Sequence, residues 1–537
     1  MQPLPAVLGK VTVWPRDVLG SESPRRVSAR SPGELTLGRW IRDRALVAPN
    51  RVAIEHGGAT TTYAQLDARS ERLAGALVRL GLRRGDRVAS LTANRPEHVE
   101  LFFACAKAAL VLAPMSWRLA PVELAYQLEH SAPATLFVEP RFDALADAAL
   151  EQTYAAPRRM ELSRAGLDEL AADDRHAPPH PPAADDDDLL LLYTSGTTGR
   201  PKGARITHRN CFWTNVSLDR IAEVSDGDTV LQMLPQFHVA GWNVQPLLAW
   251  WKGATVVLES TFDAGRALEL IERHRITTMM GVPATYLMMA AAPRFGDTDL
   301  SSLRQAVVGG APAPEALLRT WQERGVAIVQ GYGLTEASPN VLCVPREDAR
   351  RRRGWAGKPY PHIDVALADP QSGAIVDGPG GGELLVRGPG VFAGYWRDRD
   401  ATNATIRDGW LHTGDIAERD AEGFYRIRDR LKDMYISGGE NVYPAEIEAA
   451  LHEHPAVADA AVIGVPDERW GEVGVAIVVL RPGRRAGERE LLAHCRARLA
   501  GFKVPRAVRF TGELPRSASG KLLKRELRER YSAERSP

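Results

Sequence analysis

The sequence predicts an α/β protein. It has a large N-terminal domain of mixed and parallel sheets covered by helices, a Gly-rich β sub-domain, and a small α+β C-terminal domain. Three observations carry this expectation. A chain of 537 residues is far too long for one hydrophobic core. From Thr62 onward, short apolar runs alternate with amphipathic stretches, the pattern of parallel strands joined by helical crossovers. After about Gly378 the pattern shifts to short Gly-rich strands, and past Asp429–Asp433 to a strand–helix alternation on a smaller scale.

Residues 1–33 mix Pro, Ser, Gly and Arg with little periodicity and read as a loosely ordered extension. Asp17, Glu22 and the missing amphipathic stripe argue against an organellar transit peptide. The N-terminal domain is expected over 34–431. Leu66, Leu73, Leu77 and Leu80 mark a helix ending at Gly81, and Arg87–Leu91 reads as a buried strand. Asn94 to Ala109 reads as a helix and Thr135–Val138 as a strand. Further strands are expected at Leu231–Leu234, Ala254–Leu258, Gln305–Val308 and Ala327–Val329, with Gly382–Val386 opening the Gly-rich part. Residues 171–188, rich in Ala, Pro and Asp, form an exposed connection, and the Asp185–Asp188 run reads as a solvated loop rather than a metal site. The C-terminal domain, 432–537, carries helices near 445–453, 488–499 and 522–531.

Composition excludes several classes. An apolar content of 44% and a charged content of 25% are those of a soluble globular protein. A formal charge of +1 gives no global field toward nucleic acid or an acidic membrane. No run of 18 apolar residues occurs, so no transmembrane helix is expected. Cys105, Cys211, Cys343 and Cys495 lie far apart with no CxxC pair, which fits a reducing cytoplasm better than a disulfide framework or a zinc site. Of the 68 Lys plus Arg, only nine are Lys. The lysines that remain mark positions where a compact point charge serves better than a guanidinium fork, and Lys202, Lys432 and Lys521 stand out.

The densest chemical signal runs from Leu192 to Gly203. Leucines lead into Thr194, Ser195, Gly196, Thr197, Thr198 and Gly199, followed by Arg200, Pro201, Lys202 and Gly203. Gly196, Gly199 and Gly203 let backbone N–H groups approach phosphate oxygens; the hydroxyls add donors and Lys202 a charge. It is not a Walker A loop, because Lys202 follows Pro201 and precedes Gly203.

With its companions, this motif resembles the adenylate-forming superfamily of acyl-CoA synthetases, adenylation domains and beetle luciferases. The resemblance spans roughly residues 35–530, and the chain looks most like free-standing bacterial fatty-acyl-CoA ligases. It implies that 34–431 is an AMP-binding domain and 432–537 a mobile domain carrying the catalytic lysine. Thr194–Lys202 would hold the ATP phosphates. Pro235-Gln236-Phe237-His238 resembles the aromatic segment beside the acyl site, with Ala240, Gly241, Gly333 and Leu334 also lining it. Gly309, Gly310, Ala311 and Pro312 would flank adenine. In Gln330–Glu336, Gly331 and Gly333 approach the nucleotide, Tyr332 stacks on adenine, Thr335 meets phosphate and Glu336 holds Mg²⁺, a hard ion suited to a carboxylate. Asp415, Ile427 and Arg430 would meet the ribose region. The family often has Gly-Arg where this chain has Asp429-Arg430. Lys432 would be the hinge, Ser437, Gly438, Gly439 and Glu440 the pantetheine tunnel, and Lys521 the cation on the reacting carboxylate and α-phosphate. Catalytic roles fall to Lys521, Lys202, Thr194, Glu336 and His238. The implied cofactors are ATP, Mg²⁺ and coenzyme A.

The basic cluster Arg350–Arg353 reads as a solvated face and stays outside the site. An amino-acid substrate is disfavoured, because His238 stands where the amino-acid branch places Asp after Phe. A luciferase-like oxygenase would betray itself by light, and a nucleotide sensor without catalysis would be expected to lose Lys521 or Glu336. Val239, Ala240 and Gly241 leave room for an aliphatic chain that Trp242 could shorten, so a medium- or long-chain fatty acid is expected. An aryl or cyclic acid, a carrier protein as acceptor, and a homodimer stay open.

Overall fold

The computed structural model describes residues 33–172, 182–194, 201–430, 433–437, 440–467, 470–499, 501–516 and 522–531. The extension 1–32 and the positions Ser195, Gly196, Thr197, Thr198, Gly199, Lys432, Gly438, Gly439 and Lys521 lie outside them.

Two helix-covered sheets dominate the N-terminal part. One has six strands in the order Arg158–Glu161, Thr135–Val138, Arg87–Leu91, Val111–Met115, Asp188–Thr194, Lys202–Thr207. All neighbours are parallel except the last pair, a hairpin. The nine-stranded sheet is parallel through its middle, from Ile328–Tyr332 to Val52–His56, with antiparallel strands at both margins. The central strands are buried on both faces, which explains why they read as continuous apolar runs. Helix Tyr63–Arg79 starts at a capping box in which Thr62 and Gln65 satisfy each other's backbone N–H groups. Its Leu66, Leu73 and Leu77 are buried.

A five-stranded antiparallel sheet follows, including Gly380–Arg387, Trp410–Arg419 and Tyr425–Arg430. The C-terminal sheet is built on the long hairpin Val457–Asp467 with Gly471–Leu480. It packs its own cores, one around Tyr435, Ile447, Leu451, Val462 and Leu491. The C-terminal helices run Pro444–His452, Glu488–Arg496 and Lys524–Tyr531. No helix among the described residues is long and apolar enough to cross a membrane. All four cysteines are buried and free.

Several expectations shift. The strand expected at Leu231–Leu234 runs Thr229–Gln232, because the Gln232 amide turns back to the Leu234 and Gly241 carbonyls and ends the ladder. The helix expected from Asn94 spans Pro96–Lys107, leaving Asn94 as a buried clamp. The Asp185–Asp188 run is tied down instead of freely solvated. Asp186, Asp187 and Asp188 pair with Arg209, Arg84 and Arg205, and Asp185 accepts from the Leu35 N–H. Nor is Arg350–Arg353 uniformly solvated. Arg352 is 9% exposed, ion-paired to Asp420 at 2.7 Å and to Glu422, with its guanidinium 4.2 Å over the Phe424 ring. It is a structural rivet between the loop and the antiparallel sheet.

Candidate active site

Thr194 and Lys202 are register partners at one end of the antiparallel pair Asp188–Thr194 and Lys202–Thr207. Gly203 has a different reason from the expected one. A Cβ there would meet Leu191 at 2.9 Å and Trp396 at 3.4 Å, so its bare face accommodates side chains of the protein. Residues 392–396 run beside the second strand of this hairpin. Ala393 N donates to Arg205 O, Arg205 N to Gly394 O and Trp396 N to Gly203 O. This brings Tyr395 to the site: its hydroxyl donates to Glu336 Oε1 at 2.8 Å, and Lys202 Nζ sits 5.1 Å over its ring. Burial first, then the Glu336 charge, pushes the phenol well above its ordinary range, so it stays a donor.

Glu336 and Thr335 lie half-buried in a short 3₁₀ turn that leaves strand Ile328–Tyr332. The turn folds back on Gly333, where a Cβ would lie 1.4 Å from the Pro339 carbonyl oxygen; only glycine fits. Gly331 and Leu334 flank it, both half-buried. At the strand end, the Tyr332 hydroxyl donates to Asp415 Oδ2 at 2.5 Å. Asp415 is 4% exposed and lies across the ladder from Arg430, with Ile427 on the same strand. Glu383 holds the turn before it, accepting from Gly414 N and contacting the His412 ring. Gly310, Ala311 and Pro312 form an exposed edge after strand Gln305–Val308, with Gly310 at φ +80°.

The segment 235–238 rests on buried polar groups. Asn94 donates to the Leu234 and Glu259 carbonyls and accepts from Gln236 N. His98 bridges Ser90 and the Gln236 side chain, and the Trp242 indole donates to Gln236 O. Trp242 is fully buried and stacks on Phe102 at 4.5 Å, which makes it part of the core. Gly241 is small for a backbone reason: a Cβ would meet Pro235 O at 2.4 Å. The space read there as room for an acyl chain is filled by the protein's own main chain, while Ala240 is half-buried at the start of the same turn. Phe237, 5% exposed, packs edge-on to Trp117, and Arg118 lies over both rings. Burial, helped by the Arg118 charge, pushes His238 down to about 4, so its ring is neutral near pH 7.

Around the expected hinge, Asp429 Oδ2 accepts from Ala445 N at the start of helix Pro444–His452, and Asp433 pairs with Arg528 at 2.8 Å. Ser437 is buried at a strand end and is the register partner of Glu440. Arg516 and Leu522 bridge across the segment that contains Lys521. Sequence reasoning missed Tyr395, Glu383, Asn94 and the His98–Gln236 pair. Only the proximity of Gly394 to an aromatic pair hinted at the first.

Residues 41–396 match the model of an AMP-binding enzyme, and residues 446–521 that of an AMP-binding enzyme C-terminal domain. The chain is 46% identical over 496 residues to a feruloyl-CoA synthase from an Amycolatopsis species, covering 92% of this chain and 99% of that protein. It is 42% identical over 503 residues to an indoleacetate–CoA ligase of Aromatoleum aromaticum, covering 92% and 98%. A long-chain-fatty-acid–CoA ligase of Mycobacterium tuberculosis is 38% identical over 502 residues, covering 93% and 99%. Among solved structures, the o-succinylbenzoate coenzyme A synthetase of Bacillus subtilis in complex with ATP and magnesium ion superposes with a TM-score of 0.82 at 33% identity, covering 91% and 99%.

Proposed function

This chain belongs to the AMP-binding enzyme family, and from that premise we propose that it is an ATP-dependent acid–CoA ligase. The acid and ATP give acyl-AMP and pyrophosphate; acyl-AMP and coenzyme A then give acyl-CoA and AMP. The observation that carries this reading is the convergence of Lys202, Tyr395 and Glu336 at one end of the site with Tyr332 and Asp415 at the other. One end supplies a cation and a carboxylate, as a triphosphate requires; the other supplies a ring and a buried acceptor, as a nucleoside requires.

Charge spreads over phosphoryl oxygens as the carboxylate attacks the α-phosphorus, so placed cations and donors matter more than a base. Lys202 holds phosphate, and Lys521, assigned by resemblance, meets the α-phosphate. Among the described residues Glu336 makes no ion pair, and a single carboxylate beside phosphates is a fitting seat for Mg²⁺. The ion, when bound, neutralises phosphate charge. Asp415 accepts ribose hydroxyls, and the adenine edge is built from Gly310, Ala311 and Pro312. Neutral His238 and Phe237 face the acyl group without adding charge. The C-terminal part then turns about Lys432, removing Lys521 and presenting the loop from Ser437 to Glu440.

For the acid we propose an aromatic or arylalkanoic one. The names of the relatives at 46% and 42% identity support it, as do the Trp117 and Phe237 rings beside His238. The fatty acid expected from the sequence rested partly on Gly241, whose bare face is occupied by backbone. It stands as the second reading, supported by the fatty-acid ligase at 38%. Pyrophosphate release over a panel of hydroxycinnamates, arylacetates, fatty acids and amino acids decides, with thioester formed on coenzyme A or on a phosphopantetheinylated carrier read by mass. Arylated acids and coenzyme A should lead. A fatty-acid preference would reverse the substrate assignment, and pyrophosphate release with amino acids alone would sink the ligase class.

A further inference from the structure

We propose that Tyr395 is a positioning residue: its hydroxyl aims the Glu336 carboxylate, and its ring keeps the Lys202 ammonium from pairing with that carboxylate. The inference rests on the ATP-dependent reading and adds a residue to its phosphate end. Lys202 and Glu336 are opposite charges held at one phenol, the ammonium over its ring face 5.1 Å from the centroid and the carboxylate 2.8 Å from its hydroxyl. Among the described residues neither forms an ion pair. Were they to meet, each would neutralise the other. The site would then lose both a ligand for a divalent cation and a cation for phosphate. An electron-rich ring face gives an ammonium a weak alternative partner, and the hydroxyl occupies one carboxylate oxygen and directs the other.

The backbone makes this arrangement rigid. Tyr395 lies in a segment bonded to the same two elements that its side chain touches. Phe392 N donates to Glu336 O, and the neighbours of Tyr395 bond to Gly203 and Arg205 on the strand that Lys202 opens. Its own N–H donates to Thr402 Oγ1 at 2.8 Å. A side chain serving only to fill space would need no hydroxyl there.

The test compares Tyr395→Phe, Tyr395→Leu and Tyr395→Leu/Glu336→Gln in the full-length protein. Calorimetry follows binding of α,β-methylene-ATP across a Mg²⁺ series, beside thermal unfolding and pyrophosphate release. Tyr395→Phe should raise the Mg²⁺ concentration for half-maximal analogue binding by about 10-fold, the worth of one hydrogen bond to a charged group. Excess Mg²⁺ should restore binding. Tyr395→Leu should weaken binding at every Mg²⁺ level, and removing the Glu336 charge in that background should recover the Mg²⁺-independent part by freeing Lys202. A wild-type Mg²⁺ response in Tyr395→Phe overturns the proposal. So does a loss that excess Mg²⁺ leaves unchanged while the unfolding temperature falls, since that marks a packing role. A shifted Mg²⁺ series in a protein that releases pyrophosphate with no acid would sink the activity reading alone.

Discussion

Tyr332–Asp415 and Tyr395–Glu336 are one hydrogen bond built twice, a phenol donating to a carboxylate, one at the end of strand Ile328–Tyr332 and one on the 3₁₀ turn that follows it. Their surroundings differ. Asp415 is 4% exposed, on a ladder strand, with its turn braced by Glu383. Glu336 is half-buried on a 3₁₀ turn, with an ammonium across the phenol ring. A buried carboxylate already served by one hydroxyl is suited to further neutral hydroxyls, as on a ribose. A more open one beside a cation is suited to a metal among phosphates. Local burial and the next charge out, not the pair itself, set what each carboxylate is suited to hold.

The largest effect tests whether either pair works without the C-terminal part. Lys521→Ala should slow acyl-AMP formation by about 10²–10³-fold, as expected for one donor at a developing charge. Thioester formation from supplied acyl-AMP and coenzyme A should survive; equal loss in both assays would make Lys521 structural. Next, Glu336→Ala should lower Mg·ATP-dependent turnover by about 10²-fold, whereas wild-type turnover at low Mg²⁺ would move the metal to another residue. Gly333→Ala tests the turn that sets Glu336. With a Cβ placed 1.4 Å from the Pro339 carbonyl oxygen, the backbone must shift, and urea unfolding should show a loss of about 2–3 kcal/mol. A variant as stable as wild type would mean that the turn yields freely. Tyr332→Phe sharpens the comparison most directly. It should raise the KM for ATP by about 10-fold with no change in Mg²⁺ dependence, the reverse of Tyr395→Phe. The same Mg²⁺ shift in both would erase the distinction between the pairs.

The last effect is on pH. Burial pushes His98 down to about 3 and His208 and His238 to about 4. Below about 6.5 the unfolded chain takes up protons that the folded one refuses. Stability from these rings is therefore full above pH 6.5 and falls as pH drops toward 4. Urea midpoints at pH 7, 6 and 5 should decline, and His98→Gln should flatten the slope by up to one proton. An unaltered slope would show that His98 charges in the fold.

What the sequence disclosed followed locality. The leucine strand leading into Thr194, the βα alternation and the strand expected at Ala327–Val329, found at Ile328–Tyr332, lie within short windows, where periodicity and glycine spacing are visible. Tyr395 was hidden because it meets Lys202 only after nearly two hundred intervening residues fold. Arg352 was misread for the same reason, since Asp420, Glu422 and Phe424 arrive from a distant strand pair. Gly241 and Gly203 show a second limit. A missing side chain marks a close approach without saying whether ligand, backbone or side chain makes it. The expected roles of Lys432, Gly438, Gly439 and Lys521 rest on resemblance alone, because those positions lie outside the described residues.

The four buried cysteines bear on how the second half-reaction can be handled. Burial pushes the Cys211 thiol to about 12 and the Cys343 thiol to about 11, with Cys105 and Cys495 raised as well. Alkylating reagents attack thiolates, so near neutral pH the folded chain offers them almost nothing. The pantetheine thiol of coenzyme A, in open solution, reacts first. A maleimide quench can therefore strip the acceptor from a running reaction and leave the catalyst intact, stalling it with the mixed anhydride in place. The interval between the two bond-making steps becomes open to direct timing.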